Sequence, residues 1–156
     1  MSLVKITPIA YAKNIRKEIS DDFWGNIVTE IELANNIPTE SLDGIEEFSH
    51  LEILFYFHRA DPKNIVFSGH PRGNVDWPKV GIFAQRKKDR INQLGLTIAA
   101  LISRQGRILK VKNFDGIDGT PILDIKPVMK GFLPVGRIRE PLWAKELMIE
   151  YWLLRK

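Results

Sequence analysis

The chain has 156 residues, no cysteine, and a formal charge of +4 with a pI near 9.4. That length suits one domain around one core, and the missing cysteines exclude a disulfide framework, a thiolate nucleophile and a cysteine-ligated zinc. A composition of 44% hydrophobic and 27% charged residues excludes wholesale disorder, and no apolar run nears the roughly 20 residues that span a bilayer.

The opening residues lack a secretory signal pattern, so a cytoplasmic protein without membrane contact is expected. The excess of Lys and Arg suits a polyanion, because cations that neutralise phosphates release condensed counterions.

Short β-rich segments between turn residues predict strands over Lys5–Ala12, Ile27–Ala34, His50–His58, Val80–Gln85, Leu94–Arg104, Arg107–Phe114 and Pro121–Lys126. Between the second and third strands, Thr39–Glu47 reads as a short helix or turn, with Thr39 or Ser41 as N-cap. Arg59 to Lys79 is a long irregular stretch punctuated by Pro62, Gly69, Pro71, Gly73 and Pro78. Loops of that length are usually functional or disordered. The clearest hairpin turns at Gln105-Gly106: Leu96, Ile98, Ala100 and Ile102 alternate before it, and Ile108, Leu109 and Val111 follow. Lys110 and Lys112 fall on one face, so that strand is half exposed.

A meander of this kind leaves unpaired edges unless it closes. The expected fold is mainly β: a single closed antiparallel β-barrel with short helices over residues 1–140, then a C-terminal helix over 141–156. That helix has Pro141 at its first position. It carries two apolar stripes, Trp143-Leu147-Tyr151-Leu154 and Ala144-Met148-Trp152, and packs either on its own barrel or on a second subunit. There are no internal repeats and no low-complexity segments.

Three segments carry chemistry. The first runs from Gly81 to Thr97 and holds Phe83, a cationic run of Arg86, Lys87, Lys88 and Arg90 opposed only by Asp89, then Asn92, Gly95 and Leu96. Guanidinium forks bind carboxylate or phosphate through paired hydrogen bonds, and Asn reads an amide or purine edge. Gly95 permits a backbone excursion that a Cβ would obstruct. The bland alternative is a solvated basic face.

The second segment holds Asp118, Thr120, Asp124 and Lys126. Asp124 and Lys126 share a strand face, as residues two apart do, and form either a structural ion pair or part of a ligand site. The third places Phe48 and His50 before an apolar strand. Pro71-Arg72-Gly73 is either a loop turn or one more cationic contact. No metal site is expected, since His58 and His70 lack carboxylates at ligand spacing, and no dinucleotide, Walker or nucleophile-elbow motif occurs.

In this order, from about Ile6 to Pro127, these segments resemble the TsaA-like (TrmO) family of tRNA methyltransferases, which use S-adenosylmethionine on a β-barrel. The family loop usually reads Arg-Ser-Pro-x-Arg-Pro-Asn-Pro-Ile-Gly-Leu-Ser. This chain keeps Arg86, Arg90, Asn92, Gly95 and Leu96, but has Lys88, Ile91 and Gln93 for the three prolines, and Val128 for a usual tyrosine. Each lost proline removes about 0.4–1 kcal/mol of restraint on the unfolded chain, so a looser loop is expected.

The resemblance implies methyl transfer to the exocyclic nitrogen of threonylcarbamoyl-adenosine beside the tRNA anticodon, by a homodimer with sites near the subunit contact. It implies a cofactor site drawn from Phe48, His50, Phe83, Arg86, Arg90, Asn92, Gly95, Leu96, Thr120 and Lys126. Arg86 and Arg90 could hold the cofactor carboxylate, the modified base or tRNA phosphates. Arg72, Lys87 and Lys88 would face RNA, and Asp118, Asp124 or water would take the proton. Three alternatives stay open: the same barrel methylating a small metabolite, a barrel that binds RNA without catalysis, and a purely structural or partner-binding dimer.

Overall fold

A computed structural model describes residues 2–156. Its strands are β1 (Ala10–Lys13), β2 (Val28–Leu33), β3 (His50–Tyr56), β4 (Ser68–Gly69), β5 (Val80–Gly81), β6 (Leu94–Gln105), β7 (Ile108–Lys112) and β8 (Pro121–Pro127), and its α-helix is α1 (Leu142–Leu147). Six strands close into an antiparallel barrel in the order β1-β2-β7-β6-β3-β8, with β8 returning to β1, while β4 and β5 pair separately. The closed, mainly β architecture expected from the sequence is therefore present. Among the described residues no helix is long and apolar enough to cross a membrane.

The hairpin at Gly106 forms as expected: β6 pairs with β7 from Gln105 and Ile108, and Gly106 takes the left-handed conformation that the tight turn demands. Which face of β6 turns inward is less obvious. Gly95, Thr97 and Ala99 point into the barrel, and Leu96, Ile98 and Ile102 point outward at 48%, 47% and 48% exposure. The cause is the bore. A six-stranded barrel is narrower than the eight-stranded kind that side chains just fill, and here Phe55, Phe114, Leu51, Ile53, Leu109 and Ile122 already fill it. Phe55 meets Phe57 and Phe114 edge-on at 5.1 Å in both pairs. A Cβ at Gly95 would collide with the Phe55 ring, so β6 must present small residues inward.

Four sequence expectations need correction. The first strand begins at Ala10 rather than Lys5, and its neighbour Ile9 bonds β8 outside the ladder through Ile122 O. The Val80–Gln85 strand is a two-residue bridge followed by a 3-10 turn over Ile82–Ala84. Thr39–Glu47 becomes two 3-10 turns, the first capped by Pro38 without a side-chain bond, so neither Thr39 nor Ser41 caps it. The C-terminal helix is only six residues long, and Pro141 is its N-cap rather than its first residue.

Beyond that helix the chain runs on in hydrogen-bonded turns, and three of the carbonyls there bond another part of the chain. Glu150, Tyr151 and Leu153 accept hydrogen bonds from the backbone N–H groups of Phe23, Trp24 and Gly25 at 3.2, 2.8 and 3.3 Å. The segment thus lies along residues 23–25 as a strap of successive turns, and Tyr151 and Trp152 complete a second small core with Trp24, Ile27 and Ile117. A Cβ at Gly25 would strike the Trp152 carbonyl, so only glycine allows this approach. Farther along, Trp77 donates to Glu146 at 2.7 Å and stacks near Trp143.

Candidate functional site on the outer barrel wall

The barrel interior is packed solid, so a ligand site has to lie outside it. The register of three adjacent strands shows where. Leu96 of β6 stands opposite Leu54 of β3, and Leu54 stands opposite Asp124 of β8. The next outward row is Ile98, Glu52 and Lys126. Neighbouring strands lie about 4.8 Å apart, so Leu96 and Asp124 are separated by two spacings, roughly 10 Å. At one end of that row Arg86 donates to the Leu96 carbonyl at 2.6 Å. At the other, the Lys126 ammonium bonds Asp124 at 2.5 Å, and the neighbouring carboxylate raises the Lys126 pKa. The arginine loop and the aspartate-lysine strand, some 30 residues apart in sequence, therefore flank one apolar strip of outer wall.

His50 begins β3 on the same face, exposed, with Nδ1 against the Ser49 hydroxyl at 2.8 Å and its carbonyl receiving Val128 N–H. Phe48 is half-buried just before it. Phe83 stands 80% exposed in the turn preceding Arg86. Asn92 is exposed too, and Arg90 folds back on its own loop through Gln85 O at 2.6 Å. Lys87 donates to Val66 O at 3.1 Å, and Lys88 lies 3.5 Å from Asp89.

The remaining predicted residues lie elsewhere. Thr120 is buried at the barrel end, where its backbone ties to Ala12 and Ile117. Asp118 accepts Asn14 N–H at 3.1 Å and gives its own N–H to Arg16 O, holding the loop to the chain beyond β1. Arg72 forms a bidentate pair with Asp22, both bonds 2.9 Å, from a left-handed backbone position.

The loop itself differs from the expectation of slackness. Gln93, where the family has proline, sits at φ +51. Proline is locked near −65°, so the backbone takes a path here that proline is denied. The Gln93 amide donates to Phe57 O at 3.1 Å and Ala60 O at 2.8 Å, and its oxygen accepts from Tyr56 OH at 3.0 Å. Side-chain hydrogen bonds replace ring rigidity.

Sequence reading missed Asp115. Its carboxylate is buried, receives the Tyr151 hydroxyl on one oxygen, and leaves Oδ1 without a partner. Burial pushes its pKa above the ordinary carboxylate value, opposed by Tyr151, Thr97 and the charge of Arg86. The Tyr151 phenol is raised in turn, first by burial and then by the Asp115 charge. Asp-Gly pairs are common turns, and only a bond to a tyrosine 36 residues away distinguishes Asp115-Gly116 from one.

Among the described residues no group of three or more His, Cys, Asp or Glu could hold a metal ion. Two shallow clefts, of about 230 and 320 Å3, lie away from the wall, one lined by Arg72, Trp77 and Glu146, the other by Arg16, Lys17 and Arg155.

A small closed barrel with an arginine-asparagine loop and an Asp-x-Lys strand on one outer wall defines the class. Residues 19–132 match the tRNA-methyltransferase O N-terminal domain family, and the chain belongs to that family. It is 39% identical over 94 residues to a probable S-adenosyl-L-methionine-binding protein of Pyrococcus abyssi, covering 60% of this chain and 49% of that one. It is 41% identical over 97 residues to a mouse tRNA (adenine(37)-N6)-methyltransferase, covering 62% of this chain and 22% of the mouse protein. The chain thus spans half or less of the length of both relatives. Among solved structures, TrmO from Pseudomonas aeruginosa superposes with a TM-score of 0.71 at 25% identity, over 90% of this chain and 63% of the other.

Proposed function

We propose that the chain is an S-adenosylmethionine-dependent methyltransferase acting on the N6 nitrogen of an adenosine in tRNA, with threonylcarbamoyl-adenosine beside the anticodon as its substrate. The observation that carries this reading is the row Leu96-Leu54-Asp124, which sets Arg86 and the Asp124-Lys126 pair about the same apolar strip. Family membership and the printed activity of the mouse relative support it.

The residues present suit the cofactor. Arg86 and Arg90 offer guanidinium groups to a carboxylate, Asp124 offers a carboxylate to an ammonium or sulfonium, and Leu54, Leu96 and Ile98 offer apolar contact to an adenine ring. S-adenosylmethionine, when bound, supplies a methyl group already activated on a cationic sulfur. The chain's own task is then to align the acceptor nitrogen with that methyl and to keep water from the line of attack. Asp124, once released from Lys126, or water would take the departing proton. Asp118, tied to Asn14, would need to release that bond to do so. Lys87, Lys88 and Arg72 supply cations for the tRNA backbone.

Leu96 and Ile98 stand exposed on this wall, so a second copy laid against it would give the site depth and exclude water. A homodimer is therefore part of the proposal, as is a cytoplasmic location.

Incubation with labelled S-adenosylmethionine and total tRNA tests the reading, with calorimetric titration of each component at two salt concentrations. Label should enter tRNA, and tRNA affinity should fall as salt rises. Cofactor binding without any tRNA binding would point to a small-molecule acceptor, and tRNA binding without cofactor binding would remove catalysis. Arg86→Ala should lower transfer by about 100-fold or more with little change in melting temperature, since exposed polar changes move stability by about 0.5 kcal/mol.

A further inference from the structure

Three long connections, residues 14–27, 57–93 and 113–120, all leave the same end of the barrel, where β1, β3 and β7 finish and β2, β6 and β8 begin. The second carries the arginine loop. The first builds a cleft of about 320 Å3, lined by residues 15–18, Asn26, Ile27 and Arg155. Its cations, Arg16, Lys17 and Arg155, all lie outside residues 19–132, the segment matched to the family.

The floor of the cleft is held from several sides. Asn14 donates to Thr29 and to Gly116 O at 3.0 and 2.9 Å, and Asp118 N–H bonds Arg16 O at 2.7 Å. The Arg16 guanidinium donates to the Asp22 and Phe23 carbonyls at 3.1 and 2.6 Å and lies 4.3 Å from the centre of the Trp24 ring. Bonds from Trp24 and Gly25 to Tyr151 and Leu153 then bring the strap past, and Arg155 with it.

Charge in this cleft is left unbalanced. Carbonyls and a π face steady the Arg16 guanidinium without cancelling its charge, and the Asp22 carboxylate is taken by Arg72. Among the described residues Arg16, Lys17 and Arg155 make no ion pair, and Glu18 is the one carboxylate of the lining. Burial, and then the Arg155 charge, hold the Arg16 pKa below its ordinary value, as like charges without a counter-ion do. A cleft lined by one sign of charge focuses its field on an incoming ion of the other. Arg59 links this cleft to the arginine loop. It donates to Lys17 O at 2.7 Å, and the carbonyls of Phe57 and Ala60 on either side of it hold Gln93. The cations thus run as one track across the barrel end.

Guanidinium and ammonium groups together suit phosphate. The one ring at the cleft, Trp24, is buried under Arg16 and offers no base a face to stack on. We propose that this cleft binds a backbone phosphodiester of the tRNA, away from the nucleotide that is methylated, and so sets the register of the RNA on the β3-β6-β8 wall. Phosphate contacts of this kind position a nucleic acid without reading its sequence. The inference rests on the tRNA part of the proposed function.

The test uses the whole chain with Lys17→Gln and Arg155→Gln together, both exposed positions, so the melting temperature should change little. Affinity for total tRNA, measured without cofactor over a range of salt, should show a log–log slope smaller by about 2, one for each lost phosphate contact. Lys5→Gln with Lys110→Gln removes the same charge outside the cleft and should alter the slope much less. With labelled S-adenosylmethionine at saturation, KM for tRNA should rise about tenfold while kcat holds. In nitrogen-15 NMR, an oligouridylate should shift the Arg16 Nε–H signal, and adenosine, which has no phosphate, should not.

A double variant that binds tRNA with the wild-type slope would overturn the cleft assignment and leave the methyltransferase reading intact. If the slope falls but the wild type transfers no methyl, the cleft stands and that reading falls. If inorganic phosphate shifts Arg16 while tRNA does not bind at all, the cleft takes free anions, and its assignment to RNA falls together with the tRNA substrate.

Discussion

Two walls of the same barrel meet the outside in opposite ways. On the β1-β2-β7 wall, Lys13 faces Glu32 at 3.3 Å and Lys110 faces Glu30 at 3.4 Å, so the outward rows are laced with opposite charges. On the β3-β6-β8 wall the outward rows carry Leu54, Leu96, Ile98 and Ile102, with Glu52 the one acidic group between the apolar β6 edge and the Asp124-Lys126 pair of β8. Both walls use the same period-two alternation around the same core, so folding alone does not demand the difference. A charged wall is finished when it meets water. An apolar wall of this kind marks a surface that a ligand or a partner completes.

The largest expected effect comes from making the second wall resemble the first. Leu96→Glu with Ile98→Glu would bury unpaired charge in any contact made there, at about 3–5 kcal/mol for a charge left without a partner. Light scattering should report loss of the proposed dimer and the labelled-tRNA assay should report loss of the proposed transfer, with the melting transition retained. Lys110→Glu on the other wall should alter neither. A double variant that stays dimeric and active would mean that the apolar strip is incidental.

Next in size is a change inside the barrel. Gly95→Ala drives a methyl group into the Phe55 ring, and overpacking of a filled core costs about 1–3 kcal/mol. Denaturant unfolding should show that loss. Gly25→Ala makes the same kind of collision with Trp152, but against a strap tied to residues 23–25 by three backbone bonds. There the chain can yield locally, so hydrogen exchange should quicken at Phe23, Trp24 and Gly25 while the midpoint of unfolding moves little.

These glycines also mark the limit of what the residues disclose by themselves. The hairpin at Gly106 and the closed sheet were legible, because alternation and turn chemistry are local. Alternation names two faces without saying which is inside, and Leu96, Ile98 and Ile102 were the more hydrophobic set on a strand whose inner face had to be small. That choice depends on the bore, which depends on Phe55 and Phe114 from other strands. The arginine loop and the Asp124-Lys126 strand could be recognised one at a time, but their common wall follows from β3 lying between them, a matter of strand order. The strap escaped detection for a similar reason. Its apolar spacing suits a helix, and nothing local discloses that its carbonyls bond the N–H groups of Phe23 to Gly25, more than a hundred residues earlier.

Acidity gives a third way to sharpen the contrast, because burial raises the pKa of the Asp115 carboxyl. Asp115 has a folded pKa above its unfolded value, chiefly through burial. Its contribution to stability therefore belongs to the protonated form: fully present below the unfolded pKa of about 3.9, and lost as pH rises through the folded value. Asp115→Asn removes that dependence. Melting temperatures of wild type and variant, measured from about pH 4 to about pH 7, should diverge, with wild type losing ground to the variant as pH rises. A constant difference would mean that burial does not perturb this carboxyl.

The smallest effect is expected where the barrel meets water. Glu30 and Lys110 stand directly opposite on β2 and β7, their side chains 41% and 38% exposed and 3.4 Å apart. Exposed pairs of this kind contribute about 0.2–1 kcal/mol and weaken as salt screens them. A double-mutant cycle with Glu30→Gln and Lys110→Met, run at low and high salt, should give a coupling within that range that shrinks at high salt. A larger, salt-insensitive coupling would mean that this wall is shielded from solvent too, and the contrast between the two walls would then reflect two interfaces rather than one interface and one water-facing side.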